Sequence, residues 1–328
     1  MKKIAAMLLA ILLFGVALPA SAQTYELVVA GASPGGLWSN LGIGIDRAVK
    51  ASYPGSVVTY QTSGGGLANI GLLDGGKVPL GIAHDAELKL ALAGAKPFGK
   101  PIQSMRAIAY LYNWAPMQLI MTKAFADQHG IHTFEDIAAK KPPLRVAVNR
   151  RGNIAATVAE HMFAAIGVTP DDIKKWGGDV IFAASQEQTT LYKDGRVDLI
   201  FNSLFVKQGS LLDATESVPS VVLPVSDATI AKINADMGTQ KFVIPANAYK
   251  GQTAAAPTAT VGAGLITTDR LDDKTAYDLA KALHQNIKQL QGVHKSMQAL
   301  TPELLVSFGV IPYHPGAVRY YKEAGLMK

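Results

Sequence analysis

Short apolar runs, each followed by a glycine-rich or polar turn and then by a helical pattern, recur along most of this 328-residue chain. The first unit has an apolar run at 26–30, a Gly/Ser/Pro turn at 31–36, and a helix with apolar residues at Leu37, Leu41 and Ile45. Apolar residues at every fourth position lie on one face of a helix. Repeated units of this kind predict an α/β fold in which a parallel sheet carries helices on its faces.

The same pattern starts again in the middle of the chain, so the sequence holds two α/β units of similar layout. Two units are expected at this length because single hydrophobic cores stop growing near about 250–300 residues. Ligands bind outside the carboxyl ends of the strands in such sheets, and two facing units would enclose a cleft. We expect the chain to cross between the units near residues 113–118 and 260–266. The predicted lobes are residues 23–114 with 265–328 (lobe I) and residues 115–264, including the crossing strands (lobe II).

The first 22 residues have the features of a secretory signal peptide. Lys2 and Lys3 precede a continuous apolar run at 4–18, and Ala20 and Ala22 supply the small residues that signal peptidase recognises. The run is shorter than the roughly 20 apolar residues that a membrane-spanning helix needs. We therefore expect export and cleavage after Ala22, with an uncleaved N-terminal anchor as the alternative.

The composition excludes several classes of function. The chain has no cysteine, which rules out disulfides, thiolate catalysis and cysteine-ligated metals. The formal net charge of +6 is spread along the chain without a Lys/Arg block, so a nucleic-acid partner is not expected. His129 and His132 are close in sequence but have no adjoining carboxylate-rich motif, so no metal site is expected. No cofactor is predicted either.

A glycine-rich loop at Thr62–Gly66 is the first candidate binding element. It matches neither a P-loop nor a complete dinucleotide fingerprint, yet its glycines would let backbone N–H groups and a helix N-terminus approach an anion. This makes Ser63, Gly65 and Gly66 candidate ligand contacts; a purely structural loop is the alternative. Trp38, near the start of the first helix, belongs either to the core or to the mouth of a cleft.

A polar cluster at Asn149–Asn153 is the second candidate. It follows an apolar strand and precedes a helix that Asn153 is placed to cap. A guanidinium from Arg150 or Arg151 at that helix N-terminus would hold a carboxylate through two hydrogen bonds. We expect at most one of the two arginines to point inward; the alternative is that both are solvated on the rim.

Three more polar residues follow strands of the second unit. The segment Ser185–Gln188 has the form of a capping box, which predicts Ser185 as a helix N-cap. Asn202 follows the apolar run at 198–201. Ser185, Gln188 and Asn202 are therefore further candidates for the cleft.

One motif suggests catalysis. Gly31, Ser33 and Gly35 fit the G-x-S-x-G nucleophile elbow between a strand and a helix, and would make the chain a secreted α/β hydrolase. The turn follows the first strand rather than a central one, and no oxyanion-loop motif precedes it. We expect a structural turn here, no catalytic residues and no enzyme activity, with the hydrolase as the alternative function.

Four segments together resemble a known family. They are TSGGGLANIGLLDGGKVPLGIAHD at 62–85, SQEQTTLYKDGRVDLIFN at 185–202, VIPANAYKGQ at 243–252 and HPGAVRYYKEAGL at 314–326. Their content and order resemble the TAXI family of TRAP-transporter solute receptors. The resemblance implies a two-lobed periplasmic-binding-protein fold, type II-like, with a ligand cleft between the lobes.

The resemblance also implies a function and a location. Such a protein would lie in the periplasm, close on a small organic anion (a dicarboxylate, a 2-oxoacid or an acidic amino acid) and deliver it to the integral-membrane subunits of a TRAP permease. The implied pocket positions are Trp38, Gly65, Gly66, Asn69, His84 or Asp85, Asn149, Arg150, Arg151, Asn153 and Ser185. The sequence departs from the family at Gly66, where serine is common, and at Arg150–Asn153, where a Ser-Gly-Thr-like loop is usual. The two arginines favour a more anionic solute.

Overall fold

The computed structural model describes residues 23–32 and 37–328 of the chain. The predicted signal peptide therefore lies outside the described residues, and so does Ser33. The strands are β1 (Glu26–Ala30), β2 (Val57–Gln61), β3 (Leu80–His84), β4 (Met105–Thr122), β5 (Arg145–Val148), β6 (Asp179–Phe182), β7 (Leu199–Ser203), β8 (Ser220–Val222), β9 (Gln240–Ile244) and β10 (Ala256–Thr268).

Helices alternate with these strands along most of the chain, as the α/β pattern predicted. They are α1 (Leu37–Ser52), α2 (Gly66–Asp74), α3 (Asp85–Ala93), α4 (Lys123–His129), α5 (Asp136–Lys140), α6 (Ile154–Ala165), α7 (Pro170–Lys175), α8 (Ser185–Lys193), α9 (Gly209–Ser217), α10 (Asp227–Met237), α11 (Asp273–Gln285), α12 (Ile287–Gln291), α13 (Pro302–Leu305) and α14 (Pro315–Glu323).

The strands pair in the order β2-β1-β3-β10-β4-β7-β5-β6, with β8 on β4 and β9 on β10. The outer members of each half are parallel: β1 pairs with β2 and β3, and β5 pairs with β6 and β7. The central pairs β3–β10, β10–β4 and β4–β7 are antiparallel. The sheet therefore consists of two parallel α/β halves joined through an antiparallel centre.

Two long strands connect the halves. β4 has 18 residues and pairs with β10 over its first part and with β7 and β8 over its last part. β10 has 13 residues and pairs with β3 of one half and β9 of the other. The predicted crossings at 113–118 and 260–266 lie within these two strands. The lobe boundaries stay a prediction.

Each half has its own buried core. In the first, Leu41 and Ile45 of α1 are fully buried with Leu80 of β3, so the helical spacing in the sequence does mark a core face. In the second, Val146 of β5 and Phe201 of β7 are fully buried under α6. Burial of apolar surface on both sides of the sheet is what fixes the strand positions.

Two elements differ from what the local sequence pattern predicts. The apolar run at 119–121 is the last part of β4 rather than a separate strand. The amphipathic pattern at 274–290 predicts one long helix, but the structure interrupts it at Asn286, which separates α11 from α12. The Nδ2 of Asn286 donates to Ser52 Oγ at 2.8 Å and to Ala282 O at 3.0 Å. An asparagine side chain that bonds to backbone in this way competes with continuation of the helix.

Candidate functional site

A cleft of about 370 Å³ lies where the carboxyl ends of β1, β2 and β3 face the N-terminus of α6. Its position agrees with the rule that ligands bind outside the carboxyl ends of parallel strands. Both halves of the sheet contribute to it. The lining residues described are Ala32, Leu37, Trp38, Ser63, Gly64, Gly65, Gly66, His84, Glu87, Tyr112, Gly152, Asn153 and Ile154.

The glycine-rich loop forms one wall of the cleft, and hydrogen bonds from Asn69 fix its position. The Nδ2 of Asn69 donates to Gly31 O and to Ile82 O, both at 2.7 Å, and the residue is fully buried. Ser63 Oγ lies 2.5 Å from Asn69 Oδ1 and accepts from Gly65 N–H at 3.0 Å. Asn69 therefore shapes the loop without lining the cleft. Gly65 has φ of 99°, which only glycine adopts readily.

An aromatic wall stands beside this loop. The Nε1 of Trp38 donates to the hydroxyl of Tyr112 at 3.0 Å, and that hydroxyl lies 3.3 Å from His84 Nε2. The rings of Trp38 and His84 are 4.7 Å apart between centroids. Burial raises the pKa of Tyr112, so the phenol stays protonated at neutral pH. Three side chains from α1, β3 and β4 thus form one rigid polar–aromatic surface.

A carboxylate lies beside the histidine. Glu87 Oε2 accepts from His84 N–H at 2.8 Å and lies 3.0 Å from His84 Nδ1. Burial lowers the pKa of His84, but the Glu87 carboxylate raises it by charge and by hydrogen bonding, and the net shift is upward. A Cβ at Gly66 would lie 1.7 Å from Glu87 Oε2, so only glycine fits there while Glu87 keeps this position.

Asp85 points away from the cleft. Its carboxylate accepts from Ala86 N–H and from Gly262 N–H, both at 2.8 Å, and from the Tyr110 hydroxyl at 3.1 Å. Asp85 lines a separate cavity of about 240 Å³. Burial raises its pKa to about 7 against the opposing effect of these hydrogen bonds. Of the predicted pair His84 or Asp85, only His84 lines the cleft.

The facing wall is the start of α6. Asn153 caps this helix, because its Oδ1 accepts from Ala155 N–H at 2.9 Å, as the sequence predicted. Gly152, Asn153 and Ile154 line the cleft. The first N–H groups of a helix have no partner within it and carry partial positive charge, so this wall favours an anion.

Neither predicted arginine lines the cleft in this structure, and both are exposed. The guanidinium of Arg151 lies over the Phe182 ring, 3.7 Å from its centroid. Across residues 23–32 and 37–328, neither Arg150 nor Arg151 pairs with a carboxylate. Two uncompensated positive charges therefore stand at the rim, beside the α6 wall.

The remaining predicted residues form a network in the second half of the sheet. Asn149 Nδ2 donates to Asn202 Oδ1 at 3.0 Å, and Asn202 Nδ2 donates to Ser185 Oγ at 3.0 Å and to Gln188 Oε1 at 3.2 Å. These four residues meet at the ends of β5 and β7 but do not line the cleft. Their role as ligand contacts stays a prediction.

The capping box of α8 begins one residue earlier than the sequence predicts. The N-cap of α8 is Ala184, whose N–H donates to Glu187 Oε2 at 3.4 Å, and Ser185 is the first helical residue. Ser185 is therefore not the cap. Its hydroxyl is left free to accept from Asn202 instead.

Two polar side chains of the cleft, Glu87 and Tyr112, are not predicted from the sequence. Glu87 had a detectable signal, because an acidic residue three positions after the N-cap His84 is typical of a helix start. Tyr112 had no local signal in the sequence, since it lies in the first part of β4, which the sequence pattern does not predict as a strand.

The described part of the chain lacks two further kinds of feature. No helix in it is long and apolar enough to cross a membrane. No group of three or more His, Cys, Asp or Glu side chains in it is arranged to hold a metal ion.

Comparisons with known proteins agree with this architecture. Residues 29–325 match the model of the NMT1-like family, and the chain belongs to that family. The structure of the periplasmic binding protein BugD aligns with a TM-score of 0.51 at 14% identity, covering 93% of this chain and 98% of that one. A TctC solute-binding protein from Polaromonas aligns with a TM-score of 0.54 at 15% identity, covering 92% and 96%. The fold is therefore the two-lobed fold of periplasmic solute-binding proteins, as predicted.

Proposed function

We propose that this protein is an extracytoplasmic solute receptor that binds a small organic anion between its lobes and delivers it to a TRAP-type permease. The observation that carries the proposal is the position of the cleft between the two halves of the sheet. Its walls come from opposite halves of the sheet, and the two halves are joined by β4 and β10. Bending of these two strands would close the walls over a solute, as in hinged binding proteins.

The charges around the cleft support an anionic solute. The α6 N-terminus lines one wall, and Arg150 and Arg151 follow β5 immediately before it. Closure would bring these groups onto a carboxylate without any covalent chemistry. Dicarboxylates, 2-oxoacids and acidic amino acids are the solute classes that we propose.

Location and partner rest on the sequence and on the family. The N-terminal pattern of residues 1–22 supports export to the periplasm with cleavage after Ala22. Within the NMT1-like family, the four segments quoted above favour the TAXI group, whose receptors serve TRAP permeases. Intact-mass analysis of a periplasmic fraction should find a chain that begins at Gln23, whereas a full-length cytoplasmic product would contradict export.

A binding screen tests the solute class. Thermal-shift measurements with di- and tricarboxylates, 2-oxoacids and acidic amino acids should show stabilisation by at least one compound, since a ligand that binds only the native state raises its stability. Small-angle scattering should then show a smaller radius of gyration with that compound. Absence of any stabilising anion would contradict the proposed solute class.

The hydrolase alternative makes a different prediction. It depends on Ser33, which lies outside the described residues, and the family and fold comparisons do not support it. A serine-reactive phosphonate should leave Ser33 unlabelled, and candidate esters should not be turned over. Labelling of Ser33 together with esterase activity would favour the hydrolase.

A further inference from the structure

One oxygen of the Glu87 carboxylate has no hydrogen-bond partner among the described residues. Glu87 is only 4% exposed and lines the cleft. Its Oε2 is engaged by the backbone N–H and Nδ1 of His84, at 2.8 Å and 3.0 Å. Its Oε1 has no hydrogen-bond partner within residues 23–32 and 37–328. Oε1 is not among the side-chain atoms that are both buried and unpartnered in the described residues, so it is reached from the cleft and is placed to accept a hydrogen bond from the solute.

We propose that Glu87 is a specificity-determining residue that selects solutes carrying a hydrogen-bond donor, an ammonium or a hydroxyl group, near their anionic group. This inference rests on the proposed function, because it specifies what the same cleft requires of its solute. The donor occupies Glu87 Oε1, and the anionic group faces the opposite wall.

The charge distribution across the cleft sets this orientation. The Glu87 carboxylate lies against Gly66 and is paired with His84 through Oε2, so the wall formed by α2 and α3 presents the acceptor Oε1 to the cleft. The opposite wall, at Asn153 and the α6 N-terminus, is positive in character. An anion without a donor would place a like charge or a bare acceptor against Glu87, which is unfavourable in a partly desolvated site.

A matched series of solutes tests the proposal on the wild-type protein. Succinate and oxaloacetate offer no donor on the carbon chain, whereas malate offers a hydroxyl and aspartate an ammonium. Glutarate, 2-oxoglutarate, 2-hydroxyglutarate and glutamate repeat the comparison with one more carbon. Calorimetry should show that, within the better-bound series, a donor-bearing member binds about 10- to 100-fold tighter than its donor-free counterparts. The hydroxyl and ammonium members tell the two kinds of donor apart.

Two isosteric variants separate recognition by Glu87 from its structural role. Glu87→Gln removes the charge and replaces two acceptor oxygens by an amide. The variant should therefore lose the preference for donor-bearing solutes. Glu187→Gln is the matched control, because Glu187 also lies three positions after an N-cap, where it accepts the Ala184 N–H at 3.4 Å, but is exposed and does not line the cleft. Glu187→Gln should keep the wild-type order of affinities.

The outcomes are distinct. Equal affinity for donor-bearing and donor-free members in the wild type overturns the inference, and this comparison does not depend on how any variant folds. An unchanged preference in a folded Glu87→Gln protein also overturns it. Ethanolamine and putrescine are included as donors without an anionic group. If ethanolamine or putrescine binds in a Glu87-dependent manner while none of the anions binds, the role of Glu87 is supported and the proposed anionic solute is contradicted. If no compound binds in a Glu87-dependent manner, the inference is wrong.

Discussion

The Nε1 of Trp38 donates to the hydroxyl of Tyr112 at 3.0 Å, and this bond joins α1 to the long strand β4. Tyr112 also packs edge-on against Phe205, with ring centroids 5.6 Å apart. Phe205 follows β7, in the other half of the sheet. Tyr112 thus contacts a cleft residue of one half and an aromatic ring of the other, on a strand that must bend if the lobes close.

Tyr112→Phe should therefore weaken both the cleft wall and solute binding. The substitution keeps the ring but leaves the buried Trp38 Nε1 without its acceptor, which costs about 1–3 kcal/mol. We expect a lower free energy of unfolding in urea and weaker binding of any solute found in the screen. Tyr277→Phe is the control, because it removes a surface hydroxyl bonded to Glu323. Equal stability and affinity of Tyr112→Phe and wild type would show that the bond has no role.

Gly66→Ser should destabilise the protein through Glu87. The added Cβ would lie 1.7 Å from Glu87 Oε2, so the carboxylate must move away from His84. Forcing extra atoms into a packed site costs about 1–3 kcal/mol. The double variant Gly66→Ser with Glu87→Ala should recover much of that loss, because the clash is gone. Urea denaturation of the four proteins in this cycle measures the coupling, and strict additivity would contradict the steric explanation.

Local features of the cleft could be predicted because each depends on a short, continuous segment of the sequence. The strand, glycine loop and helix around Ser63, Gly65 and Gly66 and the Asn153 cap all depend on residues close in sequence. Such elements follow from turn chemistry and helix capping alone. The sequence pattern also identified Trp38 as a candidate, and the family resemblance added His84 or Asp85; the structure places Trp38 and His84 on the cleft.

What the sequence did not reveal depends on long-range packing. The run from Met105 to Thr122 is almost entirely buried in both halves of the sheet, so it lacks the alternation that marks a strand. Pro116 within it also resembles a strand break. Tyr112 and its bond to Trp38 therefore became visible only in the fold. The bond from Asp85 to Gly262 N–H joins residues 177 positions apart and has no local signal either.

Asp85 should make stability fall as pH rises. Burial raises its pKa to about 7, above the roughly 3.9 expected in an unfolded chain. Between these values the native state holds a proton that the unfolded state has released, so raising the pH favours unfolding by up to about 1.4 kcal/mol per pH unit.

Asp85→Asn should remove this contribution. Urea titrations of wild type and variant between pH 4 and 8 should show that the wild type loses stability relative to the variant as pH rises, with the difference levelling off above about pH 7. The Asp85 charge also helps to raise the pKa of His84, so the variant removes part of the His84 contribution as well, and that contribution likewise falls as pH rises. Parallel pH profiles would show that the Asp85 carboxyl titrates as it does in the unfolded chain.

Arg151 should contribute more to anion binding than Arg150. Its guanidinium is already held over the Phe182 ring, 3.7 Å from the centroid, so less side-chain freedom is lost when it pairs with a carboxylate. A hydrogen bond between charged groups is worth about 1.5–3 kcal/mol, so Arg151→Ala should weaken binding of an identified anion by roughly 10- to 150-fold in calorimetry.

Arg319→Ala is a matched control, since that guanidinium also lies over an aromatic ring, at 4.9 Å from the Tyr277 centroid, but on α14. Arg319→Ala should leave the affinity unchanged. If Arg150→Ala and Arg151→Ala both bind like the wild type, the anion is held by Asn153 and the backbone N–H groups of α6 without help from either arginine.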